Sequence, residues 1–171
     1  IDVLFGDVVM VDAEGRYLYH RKMQTPLKYH TWTCHLSTLS CAMFFRRRVV
    51  FDYGELFDPR LRDVGDGEWM VRLLRRRVRM AALGQFTSAF TYTGVNMSVG
   101  PNARREKWEL FETAPWWARR LTPLFIVQHR LRRWAGGMYR QAPFAYEIFT
   151  RAMPEHRRQF EVGRPAFQAP R

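Results

Sequence analysis

The sequence predicts an α/β fold in which a mixed β-sheet is followed by basic, aromatic helices. Three observations lead there. The chain opens with an apolar, β-branched run, I-D-V-L-F-G-D-V-V-M-V over residues 1–11. Residues 57–77 read F-D-P-R-L-R-D-V-G-D-G-E-W-M-V-R-L-L-R-R-R, with Trp69, Met70, Leu73 and Leu74 at the three- and four-residue spacing of a helix. From Asn102 onward tryptophan and arginine interleave over two helical stretches, residues 103–113 and 115–138.

In chain order, D-A-E-G at 12–15 supplies turn chemistry, and the alternating R-Y-L-Y-H-R of 16–21 completes a hairpin with the first strand. Residues 23–38, with Pro26, His30, Trp32 and His35, read as a loop holding one helical turn. A-M-F-F-R at 42–46 is expected as a short buried strand. The R-R-V-V-F-D-Y-G that follows is expected as a short helix closed by Gly54. After the 65–77 helix a strand runs to Thr93, then the polar G-V-N-M-S loop. Past Gly136-Gly137, P-F-A-Y-E-I-F-T and R-R-Q-F-E-V are strand-like pieces between proline-bearing loops. The organisation expected is residues 1–100 as one unit, 101–140 as amphipathic helices and 141–171 as a tail.

A chain of 171 residues, 47% hydrophobic and 15% aromatic, holds a real core and is not disordered. Its formal charge is +12, and all 28 basic residues except Lys22, Lys28 and Lys107 are arginine. Such a balance points to an anionic partner: nucleic acid, lipid headgroups or a phosphorylated substrate. Residues 102–171 carry 14 basic and 6 acidic side chains, the larger share of the excess. Cys34 and Cys41, seven apart, form no CxxC and no Cys/His pattern at zinc spacing, so they read as buried free thiols in a reducing compartment. No apolar run reaches 18 residues, and no signal peptide is visible.

Gly65, Asp66 and Gly67 stand where the 65–77 helix begins. Asp66 suits a helix cap, and Glu68 suits the positive end of the helix dipole. Two readings stay open: an acidic helix start backed by an Arg-rich solvated face, or a carboxylate on a Gly-flanked turn acting as a general base. The helices of 103–138 also carry two readings. They pack on the domain, or they lie at a membrane surface with Trp and Arg at headgroup level.

Four pieces occur in order: D-V-L-F-G-D-V-V-M-V-D-A-E-G-R at 2–16, F-F-R-R at 44–47, G-E-L-F-D-P-R-L-R at 54–62 and G-D-G-E-W-M-V-R-L-L at 65–74. Together they resemble the acceptor-side half of a family 2 glycosyltransferase of the GT-A type, over about the first hundred residues. The resemblance implies a partial GT-A (Rossmann-like) mixed sheet. It implies transfer of a sugar from a nucleotide-sugar donor to an acceptor hydroxyl, in surface-polysaccharide or lipid-linked glycan synthesis. Asp66 matches the family's catalytic carboxylate; Glu68, Trp69 and His35 are expected to contact substrate. A divalent cation, Mg²⁺ or Mn²⁺, is implied as cofactor, with no ligand identified in this chain.

The family's donor-binding strands and D-x-D motif lie upstream of the matched pieces, so the chain, which opens without Met, is expected to be part of something longer. Asp7 and Asp12 are not that motif and read as solvent-facing or turn residues. Thr91 and Thr93 stand where the family often has Arg and His. His30 and His35 are the remaining basic candidates, a hydrogen-bonded structural role being the default for either. The partners expected are a nucleotide sugar, a glycan or lipid-linked acceptor and an anionic membrane surface, with nucleic acid disfavoured. The location expected is cytoplasmic, peripheral at the inner face of the plasma membrane. The alternative function is a non-catalytic basic module binding nucleic acid or anionic membrane.

Overall fold

A computed structural model describes residues 1–92 and 100–167. The fold is mixed α/β, organised on strand β1 (Val3–Val11). On one edge of β1 lie two antiparallel neighbours. β2 (Tyr17–Arg21) pairs with its C-terminal half and β3 (Met43–Phe45) with its N-terminal half. The other edge pairs in parallel with β4 (Met80–Thr91). Both faces of β1 are also packed, Val3, Phe5, Val8 and Met10 in one core cluster and Val9 and Val11 in another, which is why residues 3–11 read as a run rather than an alternation. The hairpin turn is fixed by Asp12, whose Oδ1 accepts the N–H groups of Glu14 and Arg16, and by Gly15 at φ 84°.

The pairing of β1 with β4 slips across Asp7: Phe5 lies opposite Ala82, Val8 opposite Ser88. As a result Phe5 and Val8, three residues apart, join the same core, while Val9 and Val11 join another. Gly6 sits at the slip. A Cβ there would lie 2.0 Å from Thr87 Oγ1, so only glycine lets the two strands close.

Parallel strands require a crossover, and here it runs through α1 (Lys28–Thr33), β3, α2 (Arg47–Phe51) and α3 (Gly65–Arg75). α3 seals one face of the sheet. Trp69, Met70 and Leu73 are fully buried against Val3, Phe5, Val8 and Met10, each such side chain contributing about 1.5–3 kcal/mol of burial. Val71 packs on a second side, with Trp32 of α1 and Ala114 beyond α4 (Pro101–Glu112). β3 forms as expected but is not buried: Phe44 and Phe45 are exposed.

α5 (Trp116–Arg120) and α6 (Thr122–Ala135) follow. The C-terminal pieces are not a tail. β5 (Phe144–Thr150) and β6 (Met153–Val162) form an antiparallel hairpin whose Tyr146 and Val162 pack on Val9 and Val11. Tyr146 Oη donates to Gly15 O at 2.7 Å, and Ala166 is bonded by both its N–H and its carbonyl to Tyr17 Oη. The expected boundary at 141 therefore has no counterpart in packing. A reader of sequence sees the two strands but not that their apolar positions match the second face of β1.

Candidate functional site

The site builds up around the start of α3. The loop before it is held by a residue of α4: Glu106, 2% exposed, accepts the backbone N–H groups of Arg62, Asp63 and Val64 at 2.9–3.0 Å and the amide of Asn102 at 2.8 Å. Burial alone would push its pKa up. The four donors outweigh that and hold the carboxylate at about 2. Nothing in N-A-R-R-E-K-W marks Glu106 for this role, because its backbone partners lie 42–44 residues earlier.

Asp66 stands in the first turn, not at the cap. The N-cap is Val64, with no side-chain cap bond, and Asp66 Oδ1 accepts the neighbouring Gly67 N–H at 2.8 Å. The carboxyl is partly buried, and burial raises its pKa against the pull of the backbone hydrogen bonds. Among the described residues it makes no ion pair. The arginine one and a half turns on is committed elsewhere: Arg72 pairs with Glu68 at 2.8 Å and with Glu55. Glu55, 3% exposed, also takes Arg76 at 2.5 Å. The Arg-rich face of α3 is thus partly a clamp on a buried glutamate rather than a solvated surface.

Glu68 lies on the outer side of this network, its carboxylate spent on Arg72. The expectation for Trp69 needs correction. Its ring is 0% exposed, stacked on Phe57 at 4.8 Å and edge-on to Phe45 at 5.2 Å. Its indole N–H donates to Glu55 O at 2.9 Å. The ring is fully enclosed, so no sugar ring stacks there. It is a core residue that carries the right type at the right spacing.

His35 is exposed and belongs to a cluster that spans the end of α1. The ligand-capable atoms of His30, Cys34 and His35 all lie within 4.8 Å of one another, and Cys34 Sγ is 3.1 Å from His35 Nδ1. His129 of α6 stacks on His30 with ring centroids 4.1 Å apart. Burial, then the neighbouring histidines, lower His30 to about 3; burial, then Arg133, lower His129 to about 4. Both imidazoles are neutral at pH 7. Burial pushes the Cys34 thiol up, with Arg130 and Lys107 pulling the other way. The sequence expectation of no Cys/His cluster fails because the i, i+4, i+5 spacing closes only where a helix ends. Cys41 is exposed rather than buried, and both thiols are free.

Asp7, expected to face solvent or a turn, is 2% exposed and accepts the Met23 N–H at 2.7 Å, with burial raising its pKa. Asp12 is the turn residue expected, paired with Arg16. Thr91 ends β4; Thr93 and the 94–98 loop lie outside the described residues. A cleft of about 970 Å³ opens between the C-terminal hairpin and β1/β4, lined by Val11, Asp12, Phe86, Ser88, Tyr146 and Arg157 among others. It contains none of Asp66, Glu68 or His35, and geometry alone gives it no chemistry.

A hard cation such as Mg²⁺ or Mn²⁺ wants carboxylate and carbonyl oxygens. Among the described residues the one grouping of three or more candidate ligands is nitrogen and sulfur, and Asp7 and Asp12 are engaged as described. The described residues do not fit a hard divalent cation. No family model matches the chain, and no curated protein or solved structure is significantly similar to it. No helix among the described residues is long and apolar enough to cross a membrane.

Proposed function

We propose that this chain carries the acceptor side of a glycosyltransferase, with Asp66 as general base. The acceptor oxygen attacks the sugar carbon of a nucleotide-bound donor. Its proton passes to the Asp66 carboxylate, and the bond to the nucleoside diphosphate breaks. One observation carries the reading: Asp66 is a half-buried carboxylate, with its pKa raised and with no ion-pair partner among the described residues, at a turn flanked by Gly65 and Gly67. Asp2 and Asp58 are neutralised by Arg48 and Arg60, and Asp7, also raised by burial, is fully enclosed with its carboxylate on the Met23 N–H, whereas Asp66 stays part-exposed. The ordered motifs and the mixed sheet support the same reading. Among the described residues β4 is bonded along one edge only, to β1, and its other edge is where further donor-side strands would add. Of the expected substrate contacts, Glu68 and His35 are the two that are not buried, Glu68 sharing its carboxylate with Arg72.

The test is a transfer assay on the full-length product of the coding sequence that contains this chain, using a panel of nucleotide sugars with Mg²⁺ or Mn²⁺. Asp66→Asn is expected to lower turnover by roughly 10²–10⁴-fold with donor affinity nearly unchanged. Near-normal turnover would end the assignment.

A second observation favours work at an anionic membrane surface. α6 is amphipathic in the reverse of the usual sense. It turns Phe125, His129, Arg132 and Arg133 toward the domain, where Phe125 stacks on Tyr29 and Arg132 bonds Thr25. It exposes Leu124, Val127, Leu131 and Trp134, the last by 71%, and Leu121 just before it is exposed as well. A stripe of this kind, edged by tryptophan and by Arg119, Arg120 and Arg130, has the chemistry of an interfacial helix. The nucleic-acid alternative accounts for the arginines but not for the exposed leucines.

A further inference from the structure

We propose that His30, Cys34 and His35 form a binding site for a zinc-like transition-metal cation, distinct in chemistry from the magnesium or manganese of glycosyl transfer. The inference stands apart from the proposed function and would hold if Asp66 had no catalytic role.

The donors are arranged by the end of α1. His30 lies in its last turn, Cys34 is its C-cap residue and His35 follows, so a helix and the first non-helical residue converge three ligand atoms within 4.8 Å. In a tetrahedral zinc site, with Zn–S near 2.3 Å and Zn–N near 2.0–2.1 Å, neighbouring ligand atoms lie roughly 3.3–3.6 Å apart. Side-chain adjustment of about an ångström therefore closes the set around an ion, with Cys34 and His35 moving slightly apart from their 3.1 Å contact.

His30 supplies a second, independent sign. It is 1% exposed, yet its Nδ1 has no hydrogen-bond partner. A buried polar atom without a partner costs about 1–3 kcal/mol, a cost that a ligand at that nitrogen removes. Thiolate plus imidazole is the donor set preferred by zinc and its neighbours in the first transition row.

The surroundings discriminate further. Arg21, Lys107 and Arg133 face His35, and Arg130 and Lys107 face Cys34; no carboxylate stands among these groups. A cation held only by Coulomb attraction is repelled there. One bound through nitrogen and sulfur, with the Cys34 proton released on binding, brings a thiolate to offset part of its charge. Three protein donors leave one tetrahedral position for an exchangeable ligand, and His35 is exposed enough to admit it. A bound ion would also stiffen the link to Leu36, which packs beside Gly67 at the start of α3.

Titration of the metal-free chain with Co²⁺ tests this directly. One equivalent is expected to bind with a thiolate-to-cobalt charge-transfer band and proton release, to be displaced by one equivalent of Zn²⁺ and to survive a large excess of Mg²⁺. Cys34→Ser and His35→Gln, both at positions open enough to keep the fold, are expected to abolish the band or to weaken Zn²⁺ binding by more than roughly the 10–100-fold that loss of an outer-shell partner costs. Cys41→Ser, outside the cluster, is expected to bind as the parent does. Absence of a charge-transfer band, a band unchanged in Cys34→Ser, or displacement by Mg²⁺ overturns the proposal. Circular dichroism on each variant separates lost ligands from lost structure.

Discussion

The carboxylate of Glu106 accepts the backbone N–H of Val64 at 2.9 Å, one residue before the helix that carries Asp66. A side chain from α4 thereby fixes where α3 begins. Helix starts leave backbone donors without helical partners, and here the donors just upstream are collected by one buried anion. The position of Asp66 depends on a contact between two distant segments rather than on a local cap.

Glu106→Gln keeps the shape and removes the charge. An amide can accept fewer of these N–H groups and adds donors of its own, so the expected loss is about 1–3 kcal/mol at pH 7. The folded pKa near 2 lies below the ordinary 4.5. The stabilisation is therefore fully present above pH 4.5 and is lost as pH falls through 2. Urea unfolding of parent and variant at pH 7 and pH 3 measures it. A stability gap of the same size at both pH values would contradict the account.

Trp69→Ala is expected to cost about 3–5 kcal/mol of stability, because the ring fills the space between α3 and the sheet and bonds Glu55 O. A substrate platform would behave differently, losing transfer activity while leaving the unfolding midpoint in place. Urea midpoints of the variant decide between them: a shift of less than about 1 kcal/mol would return Trp69 to the candidate contacts.

Much of the fold could be read from the chain because its signals are local. The first hairpin follows from a β-branched run and the D-A-E-G turn, and α3 from its apolar period. The long-range facts were not legible. Glu106 and Glu55 look like any surface glutamate until their partners are seen across the fold. Trp69 has the residue type and spacing of a sugar platform, but whether its faces are free depends on Phe45 and Phe57. His129 joins His30 across 99 residues, a distance at which no motif operates. The position of Asp66 at a helix start was visible, whereas its lack of an ion-pair partner among the described residues was not.

Asp66→Asn separates function from stability. Burial raises the folded pKa of Asp66, so the ionised form is disfavoured by the fold and stability falls as pH rises through that pKa. The variant carries no such charge. It is expected to be as stable as the parent, or more so, at pH 7, while its transfer activity is lost. In the parent, activity should fall in acid along a limb lying above the ordinary aspartate range. Unfolding curves at pH 7 check the first part, and a pH–rate profile checks the second. A variant clearly less stable than the parent would make Asp66 a structural residue.

The outward stripe of α6 makes the broadest prediction. Leu124, Val127, Leu131 and Trp134, with Leu121 just before the helix, are exposed and gain little from the folded chain as it stands. Replacing Leu131 and Trp134 by Ser should therefore leave stability within about 0.5 kcal/mol. On a lipid surface the same side chains would enter the acyl boundary. The arginines beside them would each add about 1 kcal/mol near an anionic leaflet. Sedimentation with vesicles of neutral lipid and of graded phosphatidylglycerol content reads both parts. The parent is expected to bind in proportion to anionic lipid and to be weakened, not released, by high salt. Leu131→Ser with Trp134→Ser should lose the salt-resistant part, and Arg119→Gln with Arg120→Gln the salt-sensitive part. A protein that ignores these vesicles but binds duplex DNA with a steep salt slope would place the arginines on a nucleic-acid surface and remove the membrane reading.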